Sequence, residues 1–512
     1  MKRIRTYSND TRYIGWQVLV IAFLIAFIVR VINLSTIPIQ HYDESIYLLR
    51  AGEGLASSWA EILKQNILDI YFAPPLFYGL IMLAYQCIGP APEAAILVSI
   101  VAGALAVPIL MLLGAELFDR RAGLIAGGLL CFTEYHLLYS RMALTDALFT
   151  TLFLASFRLL LEHDRTANRG ALAGGVVCAI AACWTKYSGI LIVPLYLLSI
   201  LATQWFAPWV DLSSPHRHLK TRLFYAVLVA ALVAFGCVPI AWLIHINPGW
   251  SAFLYFRTLH SSLLYPLDSL RELVLEYGSC LLLWIAPAVL FLIVSGFFRL
   301  SRAPRRGSVI LLTLLIGYAL STLSYHKYPR LFLPAVPLLL VVAGWMASHL
   351  WGIFAAQPHL RRAIAGVLVL SLIGPLFRAL QNPDPPFVRM IEQISFIRVH
   401  YPLPVYSAEP GPLLFYAATY PDSSIGIQYK EYDEILAMSV SGKRFFFVMD
   451  RLKKPVAKQM RIKKIAAIPG TFNEVELANR YSAARVLRVR LAGNLASSWF
   501  PIELYFVNPP PD

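Results

Sequence analysis

The chain has 512 residues, of which 58% are hydrophobic and only 14% are charged, and its mean hydropathy is +0.62. A soluble domain is much more polar, so this composition predicts a polytopic membrane protein. The formal net charge of +15 could suit a nucleic-acid partner in another setting. Here, however, much of the Lys and Arg lies in short segments between apolar runs, which is typical of loops that orient a membrane protein. We therefore expect membrane lipid, and no nucleic acid, as the partner of these basic residues.

The first apolar run covers residues 15–34 and is long enough to cross about 30 Å of hydrocarbon. Lys2, Arg3 and Arg5 precede this run, which predicts a cytoplasmic N-terminus and an external loop over residues 35–74. No secretory cleavage pattern follows the run, so we interpret it as a retained anchor. Residues 59–68 of the loop are predicted to form an amphipathic helix on the membrane surface.

The next apolar run, residues 75–89, is short for a span and is predicted not to cross the membrane. The basic segment 119–121 is predicted to be cytoplasmic, so an odd number of crossings must connect it with the external loop, and the run 94–118 supplies one. Later apolar runs lie at residues 122–139, 147–161, 170–185, 187–206, 222–246, 279–299, 308–324, 331–350 and 363–380. The total is about eleven spans, with an error of two that allows thirteen.

The composition changes near residue 381, where three prolines indicate a linker. Beyond the linker the pattern predicts a small α/β domain, residues 381–512, which parity places outside the membrane. Strands are predicted at residues 404–407, 445–449, 465–468, 485–489 and 502–507, and helices at 411–419 and 473–481. Residues 1–380 then form the transmembrane domain.

Two adjacent carboxylates, Asp43 and Glu44, follow directly after the first span. If this stretch is a helix, Asp43, Tyr47 and Arg50 share one face, because residues three and four apart are neighbours. The alternative interpretation is that the two acids simply mark a helix N-terminus, where the helix macrodipole favours negative charge.

Other ionisable or polar residues occur at the predicted external ends of later spans. They are Arg141, Asp146, Lys186, Tyr187, His326, Lys327 and Arg330. Ionisable groups at membrane depth are costly, which favours a functional role, although long cations can also extend to lipid headgroups. A carboxylate beside several cations suits group transfer from a lipid phosphate. The carboxylate takes a proton from an acceptor hydroxyl, and the cations stabilise the departing phosphate.

The order of these segments resembles a known family. The acidic pair, residues 73–78 (APPLFY), residues 138–147 (LYSRMALTDA) and residues 184–189 (WTKYSG) are similar to segments of bacterial membrane glycosyltransferases. The group in question comprises the dolichyl-phosphate-mannose-protein mannosyltransferases and aminoarabinose transferases, which have the GT-C fold. The resemblance covers residues 15–200 and thins to the element at 327–334.

The resemblance implies an inverting hexosyl- or pentosyltransferase that uses a polyprenyl-phosphate-linked sugar. Its acceptor, a glycan, a lipid or a protein, would be presented at the outer face of the bacterial inner membrane, as in lipopolysaccharide or protein glycosylation of the cell envelope. It implies Asp43 as the catalytic carboxylate, Glu44 as its companion and Asp146 as the second acid. It further implies Lys186, Lys327 and Arg330 as contacts to the donor phosphate or the sugar. We also predict, from the residues themselves, substrate contacts at Tyr47, Arg50, Arg141, Tyr187 and His326. No cofactor is established by the sequence; a divalent metal ion is compatible with it, although no cluster of His ligands is present.

The chain departs from the family pattern at two positions. Ala73 stands where many relatives have Lys or His, and Ile46 stands where the aminoarabinose branch has Arg. Arg50, one turn beyond Ile46, is a candidate replacement, and the loss at Ile46 argues against aminoarabinose as the sugar. A transporter or flippase of lipid-linked sugars is the main alternative, but no internal repeat is seen. A non-catalytic glycolipid-binding protein is the other, and the departures keep it open.

Overall fold

The computed structural model describes residues 13–58, 61, 74–206, 219–246, 266–302, 306–322, 329–407, 411–419, 426–450, 459–468, 478, 482–491 and 502–509. The predicted surface helix at 59–68, the predicted helix at 473–481, Ala73, His326 and Lys327 lie wholly or largely outside these residues.

The chain begins with a long series of helices. They are α1 (Trp16–Val31), α2 (Tyr42–Leu55), α3 (Leu76–Ile88), α4 (Pro92–Leu117), α5 (Arg120–Phe132), α6 (Glu134–Ser140), α7 (Thr145–Thr166), α8 (Arg169–Thr185), α9 (Ile192–Trp205), α10 (Leu219–Ile246), α11 (Pro266–Trp284), α12 (Pro287–Arg302), α13 (Arg306–Ser321), α14 (Pro329–Phe332), α15 (Ala335–Ile353) and α16 (Pro358–Leu380). After them come α17 (Phe387–His400), β1 (Val405–Ser407), α18 (Pro412–Thr419), β2 (Ile427–Tyr429), α19 (Tyr432–Val440), β3 (Phe445–Asp450), β4 (Ile462–Ile468), α20 (Ala483–Leu491) and β5 (Ile502–Val507).

Six helices in the described part of the chain are long and apolar enough to cross a membrane, or seven if the bent pair α6 and α7 is taken as one span. The protein is therefore a multi-pass helical membrane protein. This number is lower than the eleven predicted spans, in part because the runs 170–185 and 308–324 fold into the shorter helices α8 and α13. The axes of α6 and α7 differ by 116°, so the chain turns sharply between them.

Two runs that were predicted as continuous spans are broken. The run 122–139 is divided at Thr133, between α5 and α6, and the run 279–299 is divided between Trp284 and Pro287. Proline explains the second break, because it disfavours the helical conformation in the residue before it. Residues 266–278, which lie between the apolar runs 222–246 and 279–299, belong to α11.

Small residues let the central helices approach closely. A Cβ atom added to Gly114 of α4 would lie 2.9 Å from Cα of Gly123 in α5, and one added to Gly123 would lie 2.2 Å from the carbonyl oxygen of Met111. Such close approach is the usual way to pack helices in lipid, where apolar side chains gain little by leaving the solvent.

The C-terminal strands form one mixed sheet in the order β2-β1-β3-β5-β4. β1 runs parallel to β2 and β3, whereas β5 runs antiparallel to β3 and β4. Successive side chains of a strand point to opposite faces. Accordingly Phe446 and Val448 pack with α17, and Phe445 and Phe447 pack with α19. The strands predicted at 404–407, 445–449, 465–468 and 502–507 coincide with β1, β3, β4 and β5.

The fifth predicted strand, residues 485–489, is wrong because this segment is the helix α20. Its first backbone amide, at Ala483, donates to Glu276 of α11 over 2.7 Å, and Arg490 donates to the carbonyl of Leu283 over 2.9 Å. The alternating Val and Arg residues suggested a strand, but docking on α11 decides the conformation. Tertiary context commonly overrides such local patterns.

The C-terminal unit also contacts the residues around α2. The backbone amide of Ile39 donates to the hydroxyl of Tyr416 in α18 over 2.9 Å. Burial raises the pKa of Tyr416 to about 12, so this hydroxyl stays protonated at neutral pH. Gly411, at the start of α18, has φ +85°, and a Cβ atom there would lie 2.7 Å from Oγ of Ser45 and 2.8 Å from Cα of Tyr42.

We expect Gly411→Ala to destabilise the protein more than Gly442→Ala. Gly442 is a matched control, because its φ is +78° but nothing lies within 4 Å of an added Cβ. Both substitutions place an L side chain in the left-handed region, which costs about 1–2 kcal/mol. Only Gly411→Ala also meets α2. Thermal unfolding in detergent compares the two variants, and equal losses of Tm would show that the contact with α2 adds no constraint.

Candidate active site

The start of α2 is held by a capping box. Nδ1 of His41 accepts from the backbone amide of Asp43 over 3.0 Å, and the carboxylate of Glu44 accepts from the amide of His41 over 2.9 Å. Glu44 and its N-cap residue thus satisfy backbone amides that a helix start leaves unpaired. This arrangement fixes the rotation of α2 and with it the direction of the Asp43 side chain.

Glu44 also ties α2 to the turn between α6 and α7. Its Oε2 accepts from the amide of Gln40 over 3.1 Å, and its Oε1 accepts from the amide of Ala143 over 2.9 Å. The residue is fully buried. Because Ala143 lies three residues before Asp146, Glu44 sets the distance between the helix that carries Asp43 and the helix that carries Asp146.

Asp43 forms an ion pair with Arg330 of α14, although 287 residues separate them in the sequence. The Asp43 side chain is 7% exposed and the Arg330 side chain is 23% exposed. The imidazole of His41 lies 3.7 Å from the same carboxylate. The carboxylate of Asp43 is therefore almost buried and is held beside the guanidinium of Arg330.

A second ion pair lies close by. Nζ of Lys186, just after α8, lies 2.6 Å from Oδ1 of Asp146 near the start of α7. The Asp146 side chain is 2% exposed, whereas that of Lys186 is 22% exposed. Oδ2 of Asp146 is buried and has no hydrogen-bond partner among the described residues. The ammonium group of Lys186 is thus partly exposed, and the buried carboxylate of Asp146 holds it in place through the ion pair.

Both cations and Asp43 line one cavity of about 160 Å³. Eight of its fourteen described lining residues carry hydroxyl groups. The full set is Asp43, Tyr47, Pro74, Thr145, Thr185, Lys186, Tyr187, Ser188, Leu191, Tyr318, Ser321, Thr322, Arg330 and Leu331. Two cations suit an anionic group, one carboxylate can accept a proton, and the hydroxyls suit a polyhydroxylated ligand.

The structure brings the predicted site residues Asp43, Tyr47, Lys186, Tyr187 and Arg330 together around this cavity. The ring of Tyr47 also packs edge-on against Phe77, with centroids 5.1 Å apart.

Three other predicted site residues lie elsewhere. Glu44 is buried in its backbone contacts, and Arg50 is paired over 2.7 Å with Glu53 on the exposed side of α2. Arg141 donates to the carbonyl of Ile32 over 2.6 Å and to Oδ1 of Asn382 over 2.8 Å. It therefore joins the end of α1 to the linker that precedes α17.

Sequence reasoning missed several lining residues, among them Tyr318, Ser321 and Thr322 at the end of α13. Their hydroxyls lie within or beside an apolar run, and nothing in that run distinguishes them from ordinary span residues. Ser188 was also missed, although it directly follows the predicted Lys186 and Tyr187; its buried Oγ has no partner among the described residues.

Known structures resemble this chain over most of its length. ArnT from Cupriavidus metallidurans, bound to undecaprenyl phosphate, aligns with a TM-score of 0.54 and 15% identity over 89% of this chain and 97% of that chain. The Archaeoglobus fulgidus oligosaccharyltransferase in complex with Zn and sulfate gives 0.53 and 14% over 85% of this chain and 68% of its own. The oligosaccharyltransferase AglB from Archaeoglobus fulgidus, in complex with an inhibitory peptide and a dolichol-phosphate, gives a TM-score of 0.53 and 12% identity over 85% of this chain and 69% of its own. At these identities the likeness establishes the fold, which is GT-C.

A family model matches the first part of the chain. Residues 20–247, from α1 through α10, match the family described as "Dolichyl-phosphate-mannose-protein mannosyltransferase". The chain therefore has the GT-C fold, and its first part is similar to this glycosyltransferase family. No curated protein sequence matches the chain.

The matched region contains Asp43, Asp146 and Lys186, whereas Arg330 lies beyond it. Arg330 therefore reaches the cavity through tertiary packing and not through the matched segment. Among the residues that the structure describes, no three His, Cys, Asp or Glu side chains come together in a way that could hold a metal ion.

Proposed function

We propose that this protein transfers a hexose or pentose from a polyprenyl-phosphate donor to an acceptor hydroxyl at the outer face of the membrane. The observation that carries the proposal is the single cavity that contains Asp43, Arg330 and Lys186. The relatives with the same fold support a lipid-phosphate donor, since one is bound to undecaprenyl phosphate and another to a dolichol-phosphate. The acceptor is a glycan, a lipid or a protein.

The reaction is a single displacement with inversion at the anomeric carbon. Asp43 accepts the proton of the acceptor hydroxyl, and the oxygen of that hydroxyl forms a bond to the anomeric carbon. The bond from the anomeric carbon to the phosphate oxygen breaks, and its electron pair leaves with the polyprenyl phosphate. Arg330 and Lys186 stabilise the negative charge that develops on this phosphate.

The hydroxyl side chains of the cavity bind the sugar. Hydroxyl side chains both donate and accept hydrogen bonds, so they pair with sugar hydroxyls in either sense. Thr145, Thr185 and Ser188 lie on the Lys186 side of the cavity, and Ser321 and Thr322 lie at the end of α13. The buried Oγ of Ser188, which has no partner among the described residues, is the clearest acceptor for a ligand hydroxyl, because buried polar atoms are normally paired.

We further propose that the cavity and the C-terminal unit, residues 381–512, face the periplasm, with the N-terminus in the cytoplasm and about eleven crossings. The positions of two acids in α7 support placing its two ends on opposite sides of the membrane. Asp146 lies at the cavity, and Asp164 forms a buried pair with Arg222 over 2.8 Å. Eighteen residues of helix separate these acids, which is about 27 Å, close to the thickness of the hydrocarbon.

In this topology α3 does not cross the membrane, because a crossing there would place the basic segment 119–121, which follows α4, on the outer face. A Pro90→Cys variant tests this, in a background where the exposed Cys87 is replaced by Ser. We expect an impermeant thiol reagent to label it in intact cells. Labelling that occurs only after permeabilisation would place residue 90 in the cytoplasm and reject the non-crossing arrangement.

The function is tested by mass spectrometry of envelope lipids from a deletion strain. We expect a polyprenyl-phosphate sugar to accumulate, which names the donor, and we expect the wild-type gene to remove it. An Asp43→Asn gene should leave the accumulation in place. The matched control is Asp164→Asn, which also removes one carboxylate from a buried Asp–Arg pair but at the far end of α7; it should restore the lipid profile.

Two results would contradict the proposal. No change in lipid-linked sugars on deletion would remove the donor class. Full restoration by the Asp43→Asn gene would point to a transporter or a binding protein, for which a proton-accepting carboxylate is not needed.

A further inference from the structure

Two tyrosine hydroxyls hold the backbone on either side of Arg330. The hydroxyl of Tyr135 in α6 donates to the carbonyl of Pro329, and the hydroxyl of Tyr318 in α13 donates to the carbonyl of Leu331 over 2.8 Å. Pro329 and Leu331 are the immediate neighbours of Arg330. The two donors come from different helices, so the residue is fixed from two directions.

The short length of α14 explains why it needs these bonds. The last four carbonyls of a helix have no partner within the helix, and α14 has only four residues, Pro329–Phe332. Pro329 is buried, and a buried carbonyl without a donor costs free energy. The tyrosine hydroxyls supply donors that the helix itself cannot provide.

Tyr135 is itself rigidly placed. Its ring stacks on Trp284 of α11, with centroids 4.9 Å apart and planes at 19°. The preceding residue, Glu134, accepts two hydrogen bonds from Arg378 of α16, over 3.0 and 2.6 Å. Movement of this hydroxyl would therefore require movement of two long helices.

We infer that Tyr135 and Tyr318 are positioning residues that set the guanidinium of Arg330 for the phosphate of the donor. This inference rests on the proposed function and adds two residues to it. Tyr318 lines the cavity, and its loss could act on a ligand directly. Tyr135 is not among the described lining residues, so its effect on a ligand is indirect.

The test is a double-mutant cycle on the affinity for undecaprenyl phosphate, measured with the purified full-length protein in detergent. Tyr135→Phe should weaken binding about tenfold, because one buried carbonyl loses its donor and Arg330 shifts. In an Arg330→Gln background the same substitution should have almost no further effect, since coupled residues are not additive. Tyr318→Phe is measured in the same way, which keeps the test open if Tyr135→Phe does not fold.

Tyr85→Phe is the control, because it removes a buried phenol hydroxyl from α3 outside the cavity lining. It should leave affinity unchanged in both backgrounds. Equal losses from Tyr135→Phe with and without Arg330, or no loss at all, would overturn the positioning role. A wild-type protein that does not bind undecaprenyl phosphate would overturn the proposed donor class itself and the inference with it.

Discussion

An Asp43→Asn variant is expected to bind the donor but to transfer its sugar about 10²- to 10⁴-fold more slowly than the wild-type protein, the range typical of a lost general base. Asparagine keeps the size of the side chain and removes its basicity. It also removes the negative partner of Arg330, so the guanidinium becomes freer to meet a phosphate. Donor affinity should therefore be equal or tighter.

The measurement is turnover of a radiolabelled polyprenyl-phosphate sugar in liposomes, with donor affinity and thermal stability followed in parallel. Asp164→Asn is the matched control, because Asp164 belongs to a buried Asp–Arg pair remote from the cavity. It should lower Tm without slowing transfer by the folded protein. Near-full transfer by Asp43→Asn would remove the general-base assignment. A loss of transfer that follows the loss of folded protein would make Asp43 a structural partner of Arg330 only.

The second large effect is expected at Arg330. Arg330→Gln should weaken donor affinity by about ten- to hundredfold, because hydrogen bonds to charged groups contribute about 1.5–3 kcal/mol. Arg330→Lys should recover only part of this loss, since an ammonium lacks the planar, two-pronged geometry of guanidinium. Binding of undecaprenyl phosphate and the KM for the donor both report this change.

Arg222→Gln is the corresponding control, since Arg222 is the cation of the remote pair with Asp164. It should lower stability and leave donor affinity intact. If Arg330→Gln also lowered stability without changing donor affinity, the role of Arg330 would be limited to its ion pair with Asp43. Lys186 would then be the remaining candidate to bind the donor phosphate.

The sequence predicted the local parts of this site better than their arrangement. The helix after the first span and the acid at its start follow from local patterns, and Lys186 and Arg330 were noticed because charge at the end of a span is costly. No local pattern encodes the ion pair of Asp43 with Arg330, because 287 residues separate the two. Glu44 was predicted as the companion of Asp43, and in the fold its carboxylate accepts from the amides of His41 and Ala143.

The errors have similar causes. Arg141 resembles a substrate contact in sequence, but a buried guanidinium can equally serve carbonyls, and here it serves those of Arg30 and Ile32. The break at Thr133 carries no Pro or Gly signal. The break before Pro287 did carry one, and it was outweighed by the length of the apolar run. The segment of α20 has the alternating pattern of a strand, but it forms a helix because it packs on α11.

The most direct test of the central claim is a structure of the protein with undecaprenyl phosphate bound. The account predicts that the phosphate lies in the cavity, with its oxygens within about 3.2 Å of the Arg330 guanidinium and the Lys186 ammonium. The Asp43 carboxylate should remain open to the space where an acceptor hydroxyl enters. A phosphate bound elsewhere, with the Asp43–Arg330 and Asp146–Lys186 pairs unchanged, would contradict the account.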